Sequence, residues 1–311
     1  MKPRCPFSLL LALATLSLPA ARAGEAMNDG KKTVVEPTTT AVPLTLFRLR
    51  SSYVFESDFD NSNDTAGDAW SNTFEFGQRF PLDLGWPQNP DGRWFLRLGA
   101  DYTRFDFDHS GTAPLPATLQ SIAGVIALEY IQAGEVGILL ETAPGVYFEN
   151  DVNSGTFDSP TKLAAAFPLT TNFYLVAGGT YSGLRSYPFL PVIGAFWRIN
   201  DRWTLRAIVP EPRLIYRATD RLALWVGGEI AGGSFRTDDD QDRDPALRKA
   251  VLTYSEYRVG AGFTYGDGDR CAVDVGAGYA FERKFDYHRA DEDFQTEEGA
   301  PFVKVTLRAA F

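Results

Sequence analysis

A two-residue rhythm near the C-terminus constrains this chain more than any other feature. Val303, Val305, Leu307, Ala309 and Phe311 are apolar, with Lys304, Thr306, Arg308 and Ala310 between them. Successive side chains of a β-strand point to opposite faces, so this spacing predicts one oily and one mostly polar face. The preceding stretch repeats it: Cys271, Val273, Val275, Ala277, Tyr279 and Phe281 oppose Ala272, Asp274, Gly276, Gly278, Ala280 and Glu282. Before that, Tyr257, Val259, Ala261 and Phe263 oppose Glu256, Arg258, Gly260 and Gly262. These runs exceed the ~5–6 residues usual in soluble strands and match the ~9–11 that a tilted transmembrane strand needs. Glycines and charges sharing one face suit a barrel lumen better than a dry sandwich core.

The alternation recurs upstream. Phe47, Leu49 and Tyr53 oppose Arg48, Arg50 and Ser52. Trp70, Phe74, Phe76 and Phe80 oppose Ser71, Thr73, Glu75 and Arg79. Leu96, Leu98 and Ala100 oppose Arg97, Gly99 and Asp101. Ile193, Ala195, Trp197 and Ile199 oppose Gly194, Phe196 and Arg198. Asn200-Asp201 then makes a tight turn into Trp203, Leu205 and Ala207, with Thr204 and Arg206 on the other face. Leu222, Leu224 and Val226 oppose Trp225, Gly227 and Glu229. Residues 121–130 alternate weakly and are read as a strand.

The expected fold is all-β: a closed antiparallel transmembrane β-barrel over residues 44–311. Hydrocarbon leaves no partner for an unpaired backbone group, and closure removes the exposed sheet edge. Short connections at 132–134, 170–172, 200–201, 219–220 and 266–269 interleave with longer polar ones at 57–68, 108–116, 149–158, 237–249 and 286–299. Barrels of this kind have short periplasmic turns and long external loops, and an even strand number. The segmentation predicts about fourteen strands, with twelve as the alternative. A long periplasmic turn at 81–92 and a short external loop at 209–213 fit this scheme least well.

Residues 1–23 read as a cleaved secretory signal peptide. Lys2 and Arg4 precede an apolar core, and Ala21-Arg22-Ala23 makes a small-x-small cleavage site. Residues 24–43, rich in Thr, Lys, Pro and Glu, read as a flexible periplasmic leader, with a segment folded into the lumen as the alternative. Cleavage leaves Cys271 as the mature cysteine, which excludes an intramolecular disulfide and any cysteine-built metal centre. The net charge of −10 disfavours a nucleic-acid partner, which demands a basic footprint.

Charged residues on the polar face cannot point into lipid, so they are assigned to the lumen. They are Arg48, Arg50, Arg79, Arg97, Asp101, Arg198, Arg206, Glu229, Glu256, Arg258, Asp274 and Glu282. There they either line a wet pore as a charge filter or pair across strands and fill the interior. Terminal Phe311 is the expected signal to the barrel-insertion machinery. Outer-membrane lipid and lipopolysaccharide are the other expected partners, with acidic loops bridging divalent cations to phosphates.

Signals for catalysis are sparse. No nucleophile elbow, phosphate loop or metalloprotease helix occurs, and no cofactor is expected. Asp238, Asp240, Asp242 and Asp244 place carboxylates at alternate positions, as a calcium loop does, but without its central glycine and spaced terminal glutamate.

The segment from Gly194 to Trp203 and that from Pro210 to Arg217 carry paired W-R-x-x-D-R-W and P-x-P-R-x-x-Y-R blocks. In these the chain resembles an outer-membrane β-barrel family known as a domain of unknown function. The resemblance implies place and fold and brings no catalytic residues. The expected role is passive: a porin-like channel or a structural barrel without catalytic activity. One rival is an outer-membrane lipid-modifying hydrolase, with His109 or His288 beside a hydroxyl at the rim. The other is a soluble exported β-protein that binds a small ligand.

Overall fold

The computed structural model describes residues 42–58, 65–84, 92–109, 115–132, 135–240, 243–267, 270–287, 290, 292–296 and 298–311. The expected signal peptide, and the leader up to residue 41, lie outside them. Among the described residues the chain forms one closed antiparallel barrel of 14 strands, the larger of the two expected numbers.

The strands are β1 (Thr45–Val54), β2 (Thr65–Leu82), β3 (Gly92–His109), β4 (Thr118–Gln132) and β5, in two pieces (Glu135–Thr142 and Gly145–Phe148). Then come β6, also in two pieces (Phe157–Asp158 and Thr161–Thr170), β7 (Phe173–Tyr181), β8 (Phe189–Arg198), β9 (Trp203–Ala207) and β10 (Arg213–Arg217). The last are β11 (Leu222–Arg236), β12 (Val251–Asp267), β13 (Cys271–Tyr287) and β14 (Ala300–Ala310). Each pairs antiparallel with its sequence neighbours. Closure is between β1 and β14, in register from Leu46 opposite Ala310 to Val54 opposite Phe302.

Local chemistry explains the irregular strands. Pro144 and Pro160 interrupt β5 and β6, because proline has no N–H for the ladder. The ladder is rejoined by Gly124 N–H donating to the Pro144 carbonyl at 2.9 Å and Ala143 N–H donating to the Pro160 carbonyl at 2.9 Å. The weakly alternating 121–130 stretch lies wholly within β4.

The outward face is an apolar band. Ile193 is 76 % exposed, and Phe47, Leu49, Leu140, Val226, Phe263, Val305 and Leu307 are exposed with it. Such a band is what the lipid-facing wall of an outer-membrane barrel presents. All five short connections lie at one end of the barrel, with both ends of the barrel sequence.

The interior is layered. Toward the long-loop end, Val54, Phe105, Phe107, Leu119, Phe235, Leu252, Tyr254, Phe285 and Phe302 form one buried cluster. At the short-turn end, Phe95, Ala127, Ile131 and Leu139 form a second, with Val42 packed against it. The final residues of the expected leader therefore run inside the barrel, and Arg79 Nη1 donates to the Pro43 carbonyl at 3.1 Å. Charged side chains fill the space between.

The short external loop has a simple explanation. Strands β9 and β10 are five residues each, so their connection, residues 208–212, lies inside the barrel rather than above its rim. Gly228 N–H and Ile230 N–H of β11 hold it through the carbonyls of Pro212 and Pro210, each at 2.9 Å.

Candidate functional site

The lumen holds two charge networks. The first crosses β2 to β6. Arg79 and Arg97 sit directly opposite each other, which is unfavourable for like charges. Glu129 between them offsets this, accepting from Arg79 Nε at 2.7 Å and from Arg97 Nε at 2.7 Å. Arg97 Nη2 also donates to Glu141 at 2.5 Å, and Lys162 Nζ donates to the other oxygen of Glu141 at 2.7 Å.

The second network gathers β1, β2, the 208–212 connection and β10 to β14. Glu229 accepts from Lys304 and, at 3.3 Å, from Arg50. Arg50 also pairs with Glu211, and Arg48 donates to Glu75 at 2.9 Å. Glu256, 0 % exposed, accepts from the Tyr254 hydroxyl at 2.5 Å and from Arg258 Nε. Arg258 reaches across to Ser52 Oγ at 3.0 Å. Asp274 accepts from Arg213 Nη1 at 2.9 Å and from Thr264 Oγ1 at 2.6 Å. Closely paired buried charges of this kind are costly to break singly.

Beside this network lies a small cavity of about 40 Å3. Five arginines line it, Arg48, Arg50, Arg206, Arg213 and Arg308, against two carboxylates, Glu211 and Asp274, and the hydroxyl-bearing Thr306.

Residues 44–305 match the family described as Domain of unknown function (DUF6268). The chain belongs to this family. The likeness carried by the W-R-x-x-D-R-W and P-x-P-R-x-x-Y-R blocks is thus borne out. No curated protein matches the DUF6268 chain. Among solved structures it is similar to the beta domain of the Bordetella autotransporter BrkA, at 12 % identity and a TM-score of 0.34, over 86 % of this chain and 100 % of that one. It is similar to Pseudomonas putida OprB, at 10 % identity and a TM-score of 0.34, over 86 % of this chain and 94 % of that one. It is similar also to LpxR from Salmonella typhimurium, at 12 % identity and a TM-score of 0.35, over 85 % of this chain and 100 % of that one.

In the DUF6268 barrel, Arg48, Arg50, Arg79, Arg97, Arg206, Glu229, Glu256, Arg258 and Asp274 take part in the two networks or line the cavity. Asp101 shares their face, directly opposite Glu75. Arg198 lies at the short-turn end of β8, its N–H donating to the Asn172 carbonyl. Glu282 is a correction. A β-bulge shifts the register so that Tyr257 opposes Glu282 and Arg258 opposes Ala280. Phe281 and Glu282 then both lie on the outward side, and Arg283, Phe285 and Tyr287 become the inward residues.

Within the acidic stretch, Asp238 accepts from the N–H groups of Asn150 and Asp151, and Asp244 caps the turn at Ala246 N–H. Both carboxylates are thereby committed to loop structure. Asp242 lies outside the described residues, as does His288, and His109 is the last residue of β3.

Sequence reasoning did not assign Glu129, Glu141, Lys162, Glu211, Arg213 or Lys304 to the site. Lys304 was legible as the polar partner of Val303 and Val305. Glu211 carried no signal, because loop residues have no periodicity that says which way they face.

Proposed function

We propose that this protein is a bacterial outer-membrane barrel that rests as a closed, non-catalytic cylinder rather than as an open porin-like channel. One observation carries the reading: aromatic rings meet across the lumen. Phe105 of β3 lies 6.1 Å from Phe235 of β11 and 5.2 Å from Tyr254 of β12, centroid to centroid. Phe107 of β3 lies 4.8 Å from Tyr254 and 5.0 Å from Phe285 of β13. Strand β3 neighbours none of these three strands in the barrel wall, so the contacts cross the interior. Rings at such separations leave no room for a hydrated ion between them, which supports a closed lumen. The apolar outer band and the interleaved short and long connections support a bilayer location with the short turns in the periplasm.

The test is conductance of the purified full chain in a planar bilayer. The expected result is a silent membrane at moderate voltage. Steady ohmic steps in the wild-type protein would overturn the closed reading and favour a pore.

A further inference from the structure

We propose that the arginine cavity at the short-turn side of the lumen is a binding site for a single tetrahedral oxyanion of the phosphate class. Two strand registers support this. Strands β1 and β14 set Arg48 directly opposite Arg308, and β9 and β10 set Arg206 directly opposite Arg213. Like charges directly opposite destabilise a sheet. Two such pairs around one cavity, in a chain whose net charge is −10, create a local positive field that an anion relieves.

The resident carboxylates do not use up that field. Asp274 is engaged by Arg213 and Thr264, and Glu75 by Arg48. Glu211 is engaged chiefly by Arg50 and, at 3.4 Å, by Arg213. Arg206 approaches Glu211 only to 3.9 Å, and Arg308 has no ion pair among the described residues. Two guanidiniums are left with donor capacity on one cavity, and Thr306 adds a hydroxyl. A planar guanidinium matches two oxygens of a phosphate at once, and a pair can clamp a tetrahedral group from two sides.

Size narrows the ligand class. A single buried water needs roughly 10–15 Å3, so about 40 Å3 admits a compact oxyanion and excludes a whole nucleotide. Arg308 is exposed and lies close to the C-terminal end of β14. The remainder of a phosphomonoester, or a lipid bearing the phosphate, therefore extends toward the short-turn end, away from the aromatic layer.

The experiment uses the full chain folded in neutral detergent. Unfolding midpoint and heat of binding are followed while inorganic phosphate replaces chloride at constant ionic strength. A second arm adds mixed micelles of phosphatidic acid, with phosphatidylcholine as the reference lipid. Saturable stabilisation in the first arm identifies a free phosphate. Stabilisation confined to the second identifies a lipid phosphate. In the double variant Arg206→Gln with Arg308→Gln, affinity falls by at least roughly tenfold. Arg221→Gln, in an exposed turn at the same end, leaves it unchanged. Arg308→Gln alone, without phosphate, folds at least as stably as wild type, because repulsion from Arg48 is relieved. The proposal is overturned if neither phosphate nor phosphatidic acid stabilises the protein, if the double variant responds as wild type does, or if Arg308→Gln destabilises the phosphate-free barrel.

Discussion

The guanidinium of Arg213 lies over the indole of Trp225, 4.1 Å from the ring centroid, while its Nη1 donates to Asp274. One side chain thus ties β10 to β11 and β13 through the lumen. Lys304 approaches the same ring from β14, at 5.1 Å. The indole fits because the wall is thin beneath it. A Cβ on Gly276 would stand 2.6 Å from two of its ring carbons.

That clearance sets the first prediction. Gly276→Ala displaces the indole and costs about 1–3 kcal/mol, the usual range for overpacking. Gly124→Ala is the reference, since its nearest neighbour would be a carbonyl oxygen 4.0 Å away. Tryptophan emission and the urea midpoint should shift for the first variant and hold for the second.

Two glutamates, on β11 and β13, should respond very differently. Glu229 is buried between Lys304, Arg50 and Arg258. Glu229→Gln leaves those cations uncompensated and should cost roughly 3–5 kcal/mol. Glu282 sits outside the lumen beyond the bulge, so Glu282→Gln should stay within about 0.5 kcal/mol. Equal effects in folding titrations would mean that the bulge does not turn Glu282 outward.

The aromatic layer should be separable from the barrel wall. Truncating Phe107 and Tyr254 together removes the contacts of Phe107 with both Tyr254 and Phe285. Each such truncation costs about 3–5 kcal/mol in a packed core, so this variant calls for mild folding conditions. Conductance steps should appear in the double alanine variant. Continued silence from a folded variant would place the barrier elsewhere.

Lipid exposure has its own measure. Val259 is on the apolar outward face near the middle of β12. Val259→Arg should reduce the free energy of folding into vesicles by about 2–4 kcal/mol, the midplane cost for a lipid-facing arginine. A cost near zero would argue against a bilayer around this face.

The loops should loosen together. Arg243 donates to both oxygens of Glu149, at 2.8 and 2.6 Å, and Glu149 also accepts from Asp238 N–H. By accepting the Arg243 hydrogen bonds, Glu149 holds that guanidinium above its ordinary pKa. Glu149→Gln breaks the clamp between the 149–156 and 237–250 connections. Limited proteolysis should then cut in both, while the barrel strands remain protected.

Much of this fold is legible in the sequence. Strict alternation in β12, β13 and β14 identified their inward residues, and the placement held through Ala280. It failed at Glu282, because a bulge inserts one residue and moves every later side chain to the other face. Pro144 and Pro160 break β5 and β6 because proline lacks an N–H, yet nothing in their positions says that the ladder resumes after each.

From the chain alone came the period of two, the apolar face, the even strand count and the separation of short from long connections. These follow from local geometry, since side-chain direction in a strand depends only on position along it. What met across the interior was decided by closure. Phe105 touches Phe235, Arg50 meets Glu211, and Arg206 and Arg308 come to share one cavity because barrel curvature and stagger bring remote strands together. No spacing along the sequence encodes that approach.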